Sequence, residues 1–141
     1  SYIEFPFDTT RAIMNLLYGG TFTRCPRLRF IFSHGGGTLP MLNSRMKAPS
    51  LQPDFAKRLP NGFEGELRRH FYDTASVTNR ASFSALKEFM PLSQVLFGTV
   101  YPFGTTVSSS LEGLAGLGLT PAELSAIRYG NARPLFTRLK G

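Results

Sequence analysis

The chain has 141 residues, enough for one globular domain with a hydrophobic core and crowded for two, so we expect residues 1–141 to form a single domain. Hydrophobic residues make up 42% and charged residues 18%, a composition that excludes extended disorder. The formal net charge is +7, but the cations are dispersed and no basic stripe alternates with aromatic residues, so nucleic-acid binding is not favoured.

Cysteine content and apolar runs indicate the compartment. Cys25 is the single cysteine, which excludes a disulfide within the chain and fits a structural thiol in a reducing cytoplasm. No apolar stretch approaches the roughly 18 residues of a membrane span, and the first residues lack the features of a signal peptide. We therefore expect no membrane partner. The chain begins at Ser1 without Met, which suggests a processed, trimmed or excerpted chain.

The first half of the chain predicts two helices and one strand. A helix is expected to begin near an N-cap at Asp8 and to end at Gly19, since its apolar residues share one face. The apolar run over 28–33 is typical of a buried strand. Pro40 suits the first turn of a short helix, and the prolines of 48–62 indicate an irregular segment.

The second half continues the alternation of helices and strands. The sequence predicts a helix over 63–70, a strand over 71–75, a helix over 81–90, a strand over 95–99 and a short helix over 111–117. The segment that follows begins with Thr120, Pro121 and Glu123, which combine an N-cap, a first-turn proline and a capping box. Its helix should run to Tyr129, and Asn131 is predicted to cap a final short helix.

Alternating helices and strands favour right-handed crossovers and an α/β fold with a parallel sheet. The sequence shows about three strands, all apolar enough to need cover on both faces. A complete (β/α)8 TIM barrel needs about 250 residues, so this chain has the size of half a barrel. A half-barrel would leave two sheet edges and its inner face uncovered.

Candidate functional residues lie at the carboxyl ends of two apolar runs. His34 and three glycines follow the first strand, and Val100, Tyr101 and Phe103 follow the third. Parallel sheets place their active sites at these strand ends. The three glycines could bind an anion, but they lack the Lys and Ser or Thr of a phosphate loop, so a tight turn is the simpler interpretation.

A set of motifs spread over nearly the whole chain carries a resemblance to a known family. The motifs are FPFDTTRA at 5–12, RFIFSHGGGTLP at 29–40, YDTA at 72–75, LFGTVYPF at 96–103 and GNAR at 130–133. In this order they resemble the carboxyl-terminal half of amidohydrolase-superfamily proteins related to aminocarboxymuconate-semialdehyde decarboxylase, and most closely the 6-methylsalicylate-decarboxylase-like branch. The resemblance implies a metal-dependent barrel enzyme, often with zinc or manganese, that decarboxylates or occasionally hydrolyses a small aromatic or unsaturated carboxylic acid.

The resemblance implies one catalytic residue, His34, and the sequence differs from the family pattern at Val100. His34 matches the family histidine that activates water or shuttles a proton, a role that suits imidazole because its ordinary pKa is about 6.5. The family's metal-binding histidines lie on strands that this chain does not contain. Val100 stands where the family has an aspartate ligand, and an isopropyl group coordinates no metal. The chain is then a non-catalytic relative, carries an inactivating change, or drifted after truncation, and we expect no bound cofactor.

Four other residues have weaker functional interpretations. Asp73 is expected to be a buried, hydrogen-bonded carboxylate, with contact to substrate or to a metal-bound group as the alternative. Tyr101 and Phe103 resemble a substrate-pocket wall and could equally be core. His70 is predicted to interact with the dipole of the helix that ends beside it.

The sequence leaves three functions open. The first is a truncated or non-catalytic relative of a metal-dependent decarboxylase or hydrolase. The second is a scaffold or self-association module that reuses the fold, and for both we expect a homo-oligomer or pairing with a missing amino-terminal half. The third is a basic nucleic-acid-binding domain, which no motif favours.

Overall fold

A computed structural model describes residues 1–136 and 138 and contains a three-stranded parallel sheet. Its strands are β1 (Ile31–Phe32), β2 (Phe71–Asp73) and β3 (Val95–Leu96), in the order β1-β2-β3. The strands are shorter than predicted, but the hydrogen bonding extends beyond them. The Phe71 amide donates to the Phe30 carbonyl (2.8 Å), and the Thr74 amide donates to the Leu96 carbonyl (2.9 Å). The predicted α/β class with parallel strands is therefore confirmed.

Eight helices surround this sheet in the described part of the chain. They are α1 (Glu4–Tyr18), α2 (Thr21–Arg24), α3 (Leu39–Lys47), α4 (Pro53–Ala56), α5 (Gly62–Leu67), α6 (Arg80–Phe89), α7 (Val107–Ala115) and α8 (Pro121–Ser125). Single 3-10 turns lie at His34–Gly36, Ala48–Leu51 and Leu92–Gln94, and α8 continues as a π-helical turn over Ala126–Gly130.

Helix α1 begins at Glu4 and not near Asp8 as the sequence predicted. The earlier start is possible because Pro6 falls in the first turn, where its missing N–H is not needed by the helix. Asp8 lies inside the helix and forms an ion pair with Arg11. Helix α7 likewise begins earlier than predicted, since the Thr106 hydroxyl caps it by accepting from the Ser109 amide (3.0 Å).

The capping box at Thr120 is confirmed, because its hydroxyl accepts from the Glu123 amide while a Glu123 carboxylate oxygen accepts from the Thr120 amide. The role predicted for Asn131 is wrong. Its side-chain amide donates to the Leu92 carbonyl (2.7 Å) and to the Val95 carbonyl (2.8 Å), so the side chain binds the third strand and does not serve as an N-cap. Asn131 is the C-cap of the π-helical turn, and the final short helix predicted after it lies partly outside the described residues.

The two edges of the sheet differ. At β3, the Phe97 amide donates to the Ile127 carbonyl (2.9 Å) and Asn131 binds the Val95 carbonyl, so the segment after α8 covers this edge. At the other edge, β1 pairs with β2 alone among the described residues, and Ile31 is 45% exposed. The expectation of two uncovered edges is therefore wrong for β3.

The hydrophobic core lies between the sheet and the helices. Its fully buried members include residues from α1, α3, α5, β2, α6, β3, α7 and the turn after α8: Ile13, Leu17, Leu39, Leu67, Tyr72, Leu86, Val95, Leu114 and Ile127. Burial of such side chains contributes roughly 1.5–3 kcal/mol each before entropy is counted. The helices thereby fix the strand ends relative to one another.

His70 lies in this core, and its predicted interaction with the dipole of α5 is wrong. Its ring centroid is 4.0 Å from that of Phe22, and its Nδ1 accepts from the Phe30 amide (3.4 Å). Burial, reinforced by the positive charges of Arg69 and Arg29, lowers the pKa of His70 to about 4. The imidazole is therefore a neutral core group.

Two further expectations concern the cysteine and membrane-spanning segments. Cys25 is a free thiol on the surface, so it does not pack as the structural thiol that was predicted. Within the described residues, no helix combines the length and the apolar character that a membrane crossing requires.

Candidate functional site

Three strand ends meet at the carboxyl edge of the sheet. His34 follows β1, Asp73 is the last residue of β2, and Gly98 to Val100 follow β3. Because the strands are parallel, all three segments lie at the same edge. The sequence predicted this grouping for His34 and Val100, and the structure adds Asp73 between them.

The turn that follows β1 fixes the position of His34. Its φ is 56°, in the left-handed region that side chains rarely adopt, and its backbone amide donates to Asp73 Oδ1 (2.9 Å). The next residues close a 3-10 turn in which the Gly36 amide donates to the Ser33 carbonyl (3.0 Å). The backbone of His34 is thus bonded across the sheet edge to the middle strand.

The glycines after His34 form a tight packing turn. A Cβ on Gly36 would lie 2.9 Å from the Tyr72 ring, and one on Gly37 would lie 2.1 Å from the Pro6 carbonyl oxygen. Both residues have positive φ, of 81° and 70°. The close approach of Tyr72 and Pro6 explains these glycines, and the predicted tight turn is what the structure contains.

Asp73 is partly buried between the two outer strand ends. Its Oδ1 accepts from the His34 amide (2.9 Å) and from the Ala75 amide (3.0 Å). Burial raises the pKa of Asp73, and the two backbone hydrogen bonds oppose part of that shift. The hydrogen-bonded carboxylate expected from the sequence is therefore present, although it is only partly buried, and contact with substrate stays a prediction.

The imidazole of His34 is half-buried, and its Nδ1 is buried without a hydrogen-bond partner among the described residues. A buried ring nitrogen usually has a partner, since leaving it unpaired costs free energy. Nδ1 is therefore available to a group that the described residues do not supply. The arrangement leaves a ring nitrogen of His34 open to hydrogen bonding or proton transfer with such a group.

Val100, Tyr101 and Phe103 form the turn that follows β3. The Phe103 amide donates to the Val100 carbonyl (2.6 Å), and Val100 is partly buried. Tyr101 is 66% and Phe103 86% exposed, so the alternative that they are core residues is wrong. Their predicted role in a pocket wall stays a prediction.

The donor groups of this edge do not by themselves make a metal site. Within the described residues, no group of three or more His, Cys, Asp or Glu side chains could hold a metal ion. Val100 offers no ligand atom, and Asp73 Oδ1 already accepts two backbone hydrogen bonds. A resident metal would need ligands from outside these residues.

Two threonines support the site and were not found from the sequence. Thr74 Oγ1 accepts from the Gly98 amide (3.1 Å) and donates to the Gly98 carbonyl (3.3 Å), which joins β2 to the end of β3. Thr10 Oγ1 accepts from the Thr38 amide (2.9 Å) and joins α1 to the turn after His34. Both threonines belong to the motifs quoted above, but motifs do not identify their partners.

Comparisons with known proteins agree with the resemblance. The family model described as Amidohydrolase matches residues 5–138. A 6-methylsalicylic acid decarboxylase of Penicillium expansum is 35% identical over 143 residues, covering 98% of this chain and 44% of that protein. A 2-amino-3-carboxymuconate-6-semialdehyde decarboxylase of Dictyostelium discoideum is 29% identical over 102 residues, covering 72% of this chain and 28% of that protein.

Solved structures show the same fold. A dihydroxybenzoic acid decarboxylase from Polaromonas sp., with bound manganese and the inhibitor 2-nitroresorcinol, superposes with a TM-score of 0.77 at 18% identity. The match covers 96% of this chain and 42% of that one. The chain thus spans about two fifths of the length of the Penicillium and Polaromonas proteins.

Proposed function

The chain belongs to the amidohydrolase family, and we propose that it is a carboxyl-terminal half-barrel of a decarboxylase-type member whose substrates are small aromatic or unsaturated carboxylic acids. The observation that carries this proposal is the placement of His34 at the carboxyl edge of a parallel sheet, with an unpartnered Nδ1. The named activities of the Penicillium and Dictyostelium relatives support the class of substrate.

The chemistry assigned to this chain is the transfer of one proton. Loss of carbon dioxide from an aromatic acid requires that the ring carbon bearing the carboxylate gains a proton as the carbon–carbon bond breaks. An imidazolium donates that proton and an imidazole regains it, and general acid–base groups of this kind contribute rate factors of about 10²–10⁴. His34 lies at this edge and is partly open to solvent.

The chain alone is proposed to be inactive. Its described residues do not fit a resident metal, and Val100 lacks the oxygen ligands that a carboxylate would supply. A divalent metal, when bound, would supply charge to hold the substrate's carboxylate. Turnover therefore requires both a carboxylate at position 100 and ligands from an amino-terminal half.

The test compares three preparations of the chain. The unaltered chain, the Val100→Asp variant and a Val100→Leu control are each assayed for carbon dioxide release from 6-methylsalicylate with Mn²⁺ or Zn²⁺. Each is assayed alone and fused to the amino-terminal half of the Penicillium expansum relative. Of these six samples, we expect only the fused Val100→Asp variant to turn over substrate. Adding His34→Gln to that fusion should lower its rate at least about 100-fold.

Two results would overturn the proposal. Stoichiometric metal binding with turnover by the unaltered chain would refute its inactivity. An active Val100→Asp fusion whose rate is unchanged by His34→Gln would refute the role of His34. Because the Leu control matches the size of Asp without its charge, activity in that fusion would show that position 100 does not matter.

A further inference from the structure

The carboxylate of Asp73 is partly buried and binds backbone atoms. Its Oδ1 accepts from the amides of His34 (2.9 Å) and Ala75 (3.0 Å), which come from two different strand ends. A carboxylate can accept both bonds at once because it has only acceptor atoms. One oxygen therefore joins the turn after β1 to the end of β2.

The carboxylate is confined from the side of β3. A Cβ on Gly98 would lie 2.7 Å from Asp73 Cβ and 2.8 Å from Asp73 Cγ, so the backbone of Gly98 packs directly on this side chain. Thr74 Oγ1 exchanges hydrogen bonds with the amide and carbonyl of the same glycine. The side chain of Asp73 thus has little room to reach away from the His34 turn.

His34 needs such a support. Its left-handed backbone (φ 56°) is unfavourable for a residue with a side chain, and it persists only where surrounding contacts require it. The glycines that follow allow the turn but do not hold the His34 amide. The hydrogen bond to Asp73 fixes this amide from a different strand.

We propose that Asp73 is a positioning residue for His34, holding the histidine turn against the middle strand through the His34 backbone amide and not through substrate or metal. The functional importance of this role rests on the proposed function, but the contact itself can be tested without turnover. Asp73 acts on where the imidazole lies. It does not touch the reacting atoms.

The test uses nuclear magnetic resonance of the ¹⁵N-labelled full chain. Ionisation of Asp73 should move the amide signals of His34 and Ala75 together, with one shared midpoint raised from the ordinary value for an aspartate, because burial raises the pKa of Asp73. The charged group that faces Asp73 in the structure is His34, whose positive form lowers this midpoint. The end of β3 contributes Gly98, which does not titrate.

Three variants separate positioning from a general structural role. Asp73→Asn keeps an acceptor oxygen, so the two amides should stay in place but lose their shared titration. Asp73→Ala removes the acceptor, and hydrogen exchange at the His34 amide should become at least about tenfold faster. The control is Asp54→Asn, an exposed carboxylate on α4 that should leave both amide signals unchanged.

Several outcomes decide the proposal. Independent midpoints for His34 and Ala75, or a shared titration that survives Asp73→Asn, would overturn it. If Asp73→Ala fails to fold, Asp73→Asn still gives the decisive titration. In the active fusion, Asp73→Ala should lower kcat more than it raises KM, whereas Asp73→Asn, which keeps the acceptor oxygen, should change kcat little; a change in KM alone would assign Asp73 to substrate binding instead. If the fusion shows no turnover, the proposed function is refuted. The positioning role of Asp73 is then still tested by the amide titration and hydrogen exchange.

Discussion

The imidazole of His70 packs against the phenyl ring of Phe22, with ring centroids 4.0 Å apart. His70 is 1% exposed, and its Nε2 has no hydrogen-bond partner among the described residues. A protonated imidazole in this position would lose its hydration with no carboxylate bonded to it. Arg69 and Arg29 oppose the charge further, and Glu66 compensates only in part.

The first prediction is a loss of stability in mild acid caused by His70. Its pKa falls from 6.5 in the unfolded chain to about 4 in the folded chain, so the unfolded state binds more protons between these values. The stability is fully present above pH 6.5 and decreases as the pH falls, by roughly 3 kcal/mol at pH 4. Urea unfolding at several pH values measures this slope.

A substitution isolates the contribution of His70 from those of the carboxylates. His70→Leu should flatten the slope between pH 6.5 and 4, while His34→Ala, the change at the second histidine, should leave it intact. An equal slope in wild type and His70→Leu would contradict the prediction. Subtracting the His70→Leu stability curve from the wild-type curve cancels the contribution of the carboxylates that titrate in the same pH range.

The second prediction concerns the glycine turn after His34. Gly37→Ala should destabilise the chain, because the new Cβ would lie 2.1 Å from the Pro6 carbonyl oxygen. The control is Gly118→Ala, where φ is also positive (74°) but nothing lies within 4 Å. The control should cost about 1–2 kcal/mol from backbone strain alone, and Gly37→Ala about 1–3 kcal/mol more. Equal urea midpoints for the two variants would show that the close approach does not matter.

Local sequence signals predicted the elements whose causes are local. The capping box at Thr120 and the first-turn Pro40 both mark helix starts in the structure. The helix predicted over 81–90 forms as α6, because its apolar residues fall on one face and Asn79 caps it. The grouping of strand ends also followed from the sequence, since parallel strands place their carboxyl ends at one edge.

Contacts between distant residues could not be predicted in the same way. His70 stands beside a helix end, yet its environment is decided by Phe22 and Phe30, 48 and 40 positions earlier in the sequence. One of the two backbone amides bound by Asp73 is 39 residues away. Such contacts depend on how distant segments pack together, and the spacing of residues along the chain does not predict that packing.

The third prediction follows from Asn131, whose predicted role as a cap was wrong. Its side-chain amide donates to the carbonyls of Leu92 and Val95. Asn131→Ala should cost about 1–3 kcal/mol, because partly buried carbonyls lose their donor. Asn131→Asp should cost more at pH 7, since a carboxylate would then face two carbonyl oxygens.

A matched change tests whether this effect is specific. Asn79→Asp alters another Asn, but one whose side-chain oxygen accepts from the Ser82 amide at the start of α6, where an Asp serves equally well. Its unfolding midpoint should stay close to that of the wild type. If Asn131→Asp is as stable as Asn79→Asp, Asn131 does not support the edge of β3.

The fourth prediction concerns self-association, which the uncovered edge of β1 favours. Ile31 is 45% exposed on the strand that pairs with β2 alone among the described residues, whereas the segment after α8 covers β3. A lysine at an edge strand opposes strand pairing between chains. Ile31→Lys should therefore weaken any dimer at least about tenfold in sedimentation velocity, while Met41→Lys, at a 74% exposed position on α3, should not.

Charge gives this last prediction a second measurable consequence. Two copies that each carry a net charge of +7 repel one another, and added salt screens that repulsion. Association through the apolar edge of β1 should therefore strengthen as ionic strength rises, whereas association through ion pairs would weaken. A well-folded wild-type monomer at every soluble concentration and salt level would contradict the prediction, and salt-weakened association would place the contact at charged side chains and not at Ile31.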